Sequence, residues 1–421
     1  MSMSEPPDRP DLAPEPPPVD HVLKQNVPPA QLRRVIGFWG ITFYGIGGII
    51  GAGIFATIGA IAGRAGVFAP IAFLIAAVPA FFAALSYGAL VKRMPQAGGE
   101  ASYVQNAYGR LWLTQLTVVG VSLSGIVSAA TLLSAFAGYF QSVMPASPFV
   151  VMAALGLVSA VLAGLGVSLA SGVVVAVTLI EVGLLVLITV LGLGDIAAWP
   201  ALIMATPVPQ GLGFALAASA VLAFFAFIGF EDVVNMAEEV KDAPRVLPRA
   251  LLVAFGVSLL LYVCVSAVAV SVVPTMQLAT SHEPLGDVVH AQGLLPAWLM
   301  TLMAMASIGN GVIIQVNMVS RLVYGLTKYG GVPEVLGRVS LRTGTPLVGV
   351  AVTTGLVLLF AFAMPLAQLA ELTGVIILIV FALVQTALIV ILRRETAQAR
   401  SYVIPVLGCV SALLLLIGAF F

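Results

Sequence analysis

The sequence predicts an all-α polytopic membrane protein of about 11 transmembrane helices, built as an inverted five-plus-five helix repeat with helices 1 and 6 broken. Three observations lead there. Of 421 residues, 60% are hydrophobic and only 9% charged, with a mean hydropathy of +1.11; soluble domains are about 25% charged. Apolar runs long enough to cross a bilayer, which takes about 20 helical residues, follow one another with short polar breaks. Two of these runs, the first and the sixth, carry helix-breaking residues near their middles.

Residues 1–32 are rich in proline and acid and lack a basic start followed by an apolar core. They read as a disordered cytoplasmic tail rather than a signal peptide. Residues 33–421 read as one transmembrane domain. Its spans are placed near Ile36–Gly63, Gly66–Val91, Leu111–Met144, Pro148–Leu165, Ser171–Leu193, Leu212–Asn235, Ala250–Val273, Pro296–Thr327, Pro346–Ala363, Leu369–Leu392 and Tyr402–Phe421. With the N-terminus in the cytoplasm, every basic residue except Arg64 falls on the cytoplasmic side, as the positive-inside rule asks. That orientation places the C-terminus outside and assigns the protein to the cell (inner) membrane.

The first span contains Gly45, Gly47, Gly48, Gly51 and Gly53 within Tyr44–Gly53. Each glycine costs roughly 1 kcal/mol relative to alanine in a helix, so the run favours unwinding. Backbone unwound at membrane depth is tolerated only where protein or a water-filled cavity satisfies it. The N–H groups and positive end of the following half-helix then suit an anion such as a carboxylate. Close helix packing through small residues is the competing reading.

The sixth span tips the balance. It reads LGFALAASAVLAFFAFIGFEDVVN, with Gly229 inside it and Glu231 and Asp232 directly after. An intramembrane carboxylate is expensive and marks a functional site by default. Glu231 is read this way, whereas Asp232 is assigned to the cytoplasmic interface. Interruptions five crossings apart are what an inverted repeat predicts. One break presents N–H groups and the other carbonyls, so together they can hold a zwitterion.

Other classes lose ground on composition. Net charge is zero, which argues against nucleic acid. Cys264 and Cys409 lie in apolar runs, and His21, His282 and His290 show no metal-ligand spacing, so neither metal, cofactor nor enzyme chemistry is expected. A channel would need a continuous polar lining. A non-transporting amino acid sensor, the remaining alternative, would call for a large soluble signalling domain.

Four stretches resemble the amino acid–polyamine–organocation (APC) transporter superfamily in order: GIGGIIGAGIF (Gly45–Phe55), RMPQAGGEASYVQNAYG (Arg93–Gly109), FFAFIGFE with AEEVKDAPRVLPRA (Phe224–Ala250) and SRLVYGLTKYGGVPEVL (Ser320–Leu336). The resemblance implies that a substrate carboxylate meets the backbone of Ile50, Gly51, Ala52, Gly53 and Ile54. Its ammonium would meet carbonyls of Ile49, Phe225, Ala226 and Ile228. Ser124, Ser128, Asn310 and Thr373 become side-chain pocket candidates, and Phe224, Phe227 and Phe230 gate candidates. The chain departs from the family in stopping near eleven helices where members usually have twelve. It also reads Thr178-Leu179-Ile180-Glu181 where proton-coupled members resemble TLLK. Glu181 and Glu231 are therefore the coupling candidates, with H+ or Na+ as the ion. The expected function is secondary active transport of an amino acid by alternating access, a neutral one in the lead. A basic amino acid or polyamine exchanger is the alternative.

Overall fold

A computed structural model describes residues 34–50, 53–95, 99–165, 171–293, 296–328, 333–340 and 343–418. The expected tail at 1–32 and the site candidates Gly51 and Ala52 lie outside the described residues. The described chain is helical apart from turns, short 3-10 segments and a single bridge between Ile36 and Val240. Among the described residues, six stretches are long and apolar enough to cross a membrane: Phe38–Arg93, Leu111–Val143, Ala243–Val272, Trp298–Thr327, Leu366–Arg394 and Ala399–Gly418.

In chain order the helices are α1 (Phe38–Ile50), α2 (Gly53–Ala65), α3 (Ala69–Arg93), α4 (Gly99–Tyr108), α5 (Leu111–Val143), α6 (Pro148–Gly164), α7 (Ser171–Leu191), α8 (Leu193–Ala205) and α9 (Leu212–Phe225). They continue with α10 (Asp232–Asn235), α11 (Ala243–Val272), α12 (Thr275–Thr280), α13 (Pro284–Ala291), α14 (Ala297–Lys328), α15 (Leu347–Ala363), α16 (Leu366–Arg394) and α17 (Val403–Gly418). The expected first span is thus carried by α1 and α2, on either side of residues 51–52.

Three features differ from the sequence expectation. The fifth span does not simply end near Leu193: the chain bends by 65° there, and α8 continues it. Gly192, between the two helices, has no side chain to resist the bend, and a Cβ on it would lie 2.3 Å from Val268. The loop after α3 contains α4, whose Glu100 accepts a hydrogen bond from the Tyr87 hydroxyl at 3.1 Å. Burial pushes this Glu100 carboxyl above the ordinary carboxylate range, and the Tyr87 bond opposes that shift. The sixth run leaves the α-helix after Phe225, ahead of the break expected at Gly229, because its ladder changes period. After Phe225, Ala226, Phe227 and Ile228 donate to carbonyls three residues back, at 3.0–3.2 Å. Gly229 then takes φ +119°.

Packing brings the two interruptions face to face. α1 lies along α11, α9 lies on α2 and α3, and α5 is flanked by α14, α16 and α15. A Cβ on Gly229 would sit 2.3 Å from the Gly48 carbonyl oxygen, and one on Gly53 would sit 2.7 Å from the Ala226 Cα. Glycine is required at these positions because two backbones pass at contact distance. The entry to α1 is also tied to the chain beyond α10: Val35 and Ile36 N–H groups donate to the Glu239 carbonyl at 2.9 and 3.0 Å, and Lys241 donates to Ile36 at 2.9 Å.

Gly229→Ala should therefore be strongly destabilising. The left-handed strain alone is worth about 1–3 kcal/mol, and the clash adds to it. Gly256, inside α11 with open space around it, is the control: Gly256→Ala should melt no lower than the parent. Thermal unfolding of the two purified variants in detergent compares them directly, and equal melting temperatures would contradict the close-approach account.

Candidate functional site

Where the interruptions meet lies a cavity of about 70 Å³. Its walls come from five parts of the chain. α1 contributes Tyr44, Gly47, Gly48 and Ile49, and α2 its first residue, Gly53. α5 gives Ser128 and Leu132; α7 gives Thr178 and Glu181. The interrupted sixth run gives Phe225, Ile228 and Asp232, and α14 gives Ser307, Asn310, Gly311, Ile314 and Gln315. Elements this far apart in sequence converge because small residues let them. A Cβ on Gly47, for instance, would lie 2.1 Å from the Thr178 hydroxyl.

Tyr262, on α11, closes the back of this junction. Its hydroxyl oxygen lies 2.7 Å from the Ile49 carbonyl and 2.8 Å from the Ala226 carbonyl. The phenol has one proton to donate, so the two carbonyls share it as a bifurcated bond. Both belong to backbone that the helix ladder does not fully satisfy. A tyrosine in the middle of an apolar run, here LLLYVCV, must find a partner for its hydroxyl when buried, a signal that could have singled it out from sequence.

Two carboxylates line the cavity. Glu181 is 3% exposed; its carboxylate is hydrogen-bonded with the Ser307 side chain, while Oε2 has no partner among the described residues. Asp232 is the second. The sequence reading placed it in the interface, yet the turns at 226–231 carry it back to the cavity wall. Among the described residues no lysine, arginine or histidine stands in the lining.

The other expected residues divide. Ile49, Gly53, Phe225, Ile228, Ser128 and Asn310 line the cavity, and Ala226 borders it through Tyr262. Ile50 and Ile54 are buried beside it without lining it. Ser124 and Thr373 are also buried off the cavity, the Thr373 hydroxyl donating to Leu369 on its own helix at 2.9 Å. The gate candidates pack behind the site. Phe224 and Phe230 meet Phe381 with ring centroids 6.0 and 5.2 Å apart, and Phe227 meets Tyr262 at 5.3 Å. Glu231 turns away from the cavity, accepting the Gly229 N–H at 2.8 Å, and lies within electrostatic reach of Asp232 and Glu100.

Comparison with known proteins shows the family of the chain. A family model described as "Amino acid permease" matches residues 36–421. The branched-chain amino acid permease BcaP of Bacillus subtilis is 28% identical over 410 residues, covering 92% of this chain and 87% of that protein. The cationic amino acid transporter 9, chloroplastic, of Arabidopsis thaliana is 26% identical over 351 residues, 77% of this chain and 60% of that one. Cationic amino acid transporter 4 of Mus musculus is 27% identical over 371 residues, 81% and 57% respectively.

Removing the shared proton leaves two buried carbonyls short of a donor, which costs about 1–3 kcal/mol. Tyr262→Phe, which keeps the ring and its packing, should therefore lower the melting temperature in detergent. An unchanged melting temperature would show that the hydroxyl does not hold the junction.

Proposed function

The chain belongs to the amino acid permease family, and on that premise we propose that it is a secondary active transporter moving one amino acid by alternating access around the junction of its two interrupted helices. The observation that carries this reading is the cavity between the breaks, with backbone polar groups and two acids aimed into an otherwise apolar protein. On this reading α2 presents its N-terminal N–H groups, around residues 50–54, to the substrate carboxylate. The carbonyls of Ile49, Phe225, Ala226 and Ile228 receive the ammonium, with Tyr262 holding two of them in register. Such contacts select the head group common to all amino acids.

Packing supports the inverted five-plus-five repeat. Let the first repeat be α1/α2, α3, α5, α6 and α7, and the second α9/α10, α11, α14, α15 and α16. Exchange of the repeats then maps the pairs α1–α11, α1–α7, α5–α16 and α5–α15 onto α9–α3, α9–α16, α14–α7 and α14–α6, and all eight are in contact. α17 is the eleventh span, outside the repeat. The basic residues argue for an N-terminus in the cytoplasm and a place in the cell membrane.

A neutral amino acid is the first reading of the substrate, because among the described residues α5, α14 and α16 bring no acidic side chain to the cavity. A second, a cationic amino acid, is favoured by Glu181 and Asp232 lining a cavity with no basic side chain among its described residues. Norleucine and lysine differ chiefly by the terminal charge, so their binding to purified protein separates the readings. On the cationic reading lysine binds more tightly and Asp232→Asn removes most of the preference; equal binding of both amino acids favours the neutral one.

Glu181 is the coupling group on this proposal, because its unpartnered oxygen faces the path and invites a proton or a sodium ion. Uptake by proteoliposomes under a proton gradient, a sodium gradient and neither should respond to one gradient in the parent. Glu181→Gln should lose that response. A variant that keeps the parent's response in every condition would make Glu181 structural, and no uptake of any amino acid by the parent would end the transport reading.

A further inference from the structure

Two arginines from distant parts of the chain meet at one corner of the protein. The end of α4 lies against the last third of α16. There the Tyr108 hydroxyl donates to the Thr386 hydroxyl at 2.9 Å, and the Arg394 guanidinium to the Asn106 carbonyl at 2.9 Å. The start of α5 is tied to the same helix, the Thr114 hydroxyl donating to the Gln105 side-chain oxygen at 2.5 Å. Between α4 and α5 the chain turns at Gly109, whose φ is +63° and whose N–H donates to the Gln105 carbonyl at 2.8 Å. Arg110 follows that turn directly, close to the Asn106 carbonyl that Arg394 reaches.

Both arginines are exposed, and among the described residues neither has a carboxylate partner. The acids around them are already engaged. Glu395 pairs with Arg93 at 3.0 Å, and Glu100, at the start of α4, is buried and accepts from Tyr87. A guanidinium carries five N–H donors, so one carbonyl does not exhaust that of Arg394. Along α5 from Arg110 the surface turns apolar: Leu111, Trp112, Leu116 and Val119 are all exposed. Trp112, Leu116 and Val119 are four and three residues apart, hence on one face of the helix. α5 is long and apolar enough to cross a membrane, so this face meets acyl chains and Arg110 stands at the level of the headgroups.

We propose that Arg110 and Arg394 seat the headgroup of an anionic phospholipid, whose acyl chains lie along the exposed face of α5. This site is independent of the transport reading and requires only that α5 cross the bilayer. The guanidinium fork matches the geometry of a phosphate and binds it through paired N–H donors. Phosphatidylglycerol brings a phosphodiester with a net negative charge. Phosphatidylcholine brings the same phosphodiester beside a quaternary ammonium, which the two arginines repel. Trp112 belongs at that depth, since indole rings favour the interface between chains and headgroups. The apolar face below the arginines selects a lipid over free phosphate. Each basic residue near the membrane surface changes affinity for an anionic lipid about fivefold.

Native mass spectrometry of the purified, detergent-solubilised chain counts bound lipid as phosphatidylglycerol or phosphatidylcholine is titrated in. The parent should bind phosphatidylglycerol more than about tenfold tighter, in line with two arginines at about fivefold each. Arg110→Gln and Arg394→Gln should each weaken phosphatidylglycerol binding about fivefold and leave phosphatidylcholine unmoved. Arg249→Gln removes an exposed charge from α11, which rests on α1 and α3, and should change neither. Inorganic phosphate in excess over the lipid should not displace phosphatidylglycerol. Equal binding of the two lipids overturns the proposal, as does an Arg249 variant that loses as much as the others, or displacement by inorganic phosphate. Arg394→Gln also gives up the Asn106 bond, so a second measurement uses the parent alone, with Trp112→Phe as its blank. The fluorescence quenching that Trp112→Phe removes should be greater with brominated phosphatidylglycerol than with brominated phosphatidylcholine. Equal quenching of Trp112 by both lipids would also overturn the site.

Discussion

The structure depends on one requirement: backbone that leaves the helical ladder inside an apolar protein must still satisfy its polar groups. The interrupted sixth run does so by placing its turns against α1, where Gly48 and Gly229 pass at backbone contact distance. Tyr262 completes the junction by spanning the carbonyls of Ile49 and Ala226. The surrounding features follow from holding that junction fixed. Phe73, Phe227 and Phe255 pack around the Tyr262 ring or against one another. Phe224 and Phe230 wedge against Phe381, and Tyr87 closes that second cluster. The aromatic residues of the FFAFIGF run are thus the bearing surface of the break, which keeps its backbone dry on one side and open to the cavity on the other.

Charge is sparse in this protein and its placement is correspondingly informative. Burying a carboxylate is costly unless it is partnered or neutralised, so each buried acid must have a use or a partner. Glu100 has Tyr87, and Glu231 has the N–H of Gly229. Glu181 has Ser307 on one side and an open position on the other. Of these three acids, Glu181 is the one with a buried carboxylate oxygen that has no partner among the described residues.

α16 connects the two faces. Near its start Glu371 pairs with Arg64; at its end Glu395 pairs with Arg93 at 3.0 Å, while Arg394 donates to the Asn106 carbonyl at 2.9 Å. These exposed contacts add little stability individually. They tie one long helix to α2 near its start and to α3 and α4 at its end.

Much of this was legible in the sequence because the governing signals are local. Hydropathy over about 20 residues marks the spans, glycines mark Gly48 and Gly53, and an acid in VTLIEVGLL marks Glu181 as facing the interior. Ile49, Gly53, Phe225, Ile228, Ser128 and Asn310 were named from the motifs and do line the cavity. Other residues needed the fold. Asp232 reads as the end of a span until the turns after Phe225 shorten the path and return it to the cavity. Phe224, Phe227 and Phe230 carry a gate reading beside the commoner one of core packing, and only the fold shows their ring neighbours on α3, α11 and α16, off the cavity lining. Tyr262 meets a carbonyl 213 residues away, and Arg64 a carboxylate still more distant. The sequence alone determined what each segment is, because burial and backbone propensity are properties of neighbouring residues. The tertiary structure decided which segments share a cavity, because convergence depends on contacts between helices whose spacing along the chain carries no trace of their distance in space.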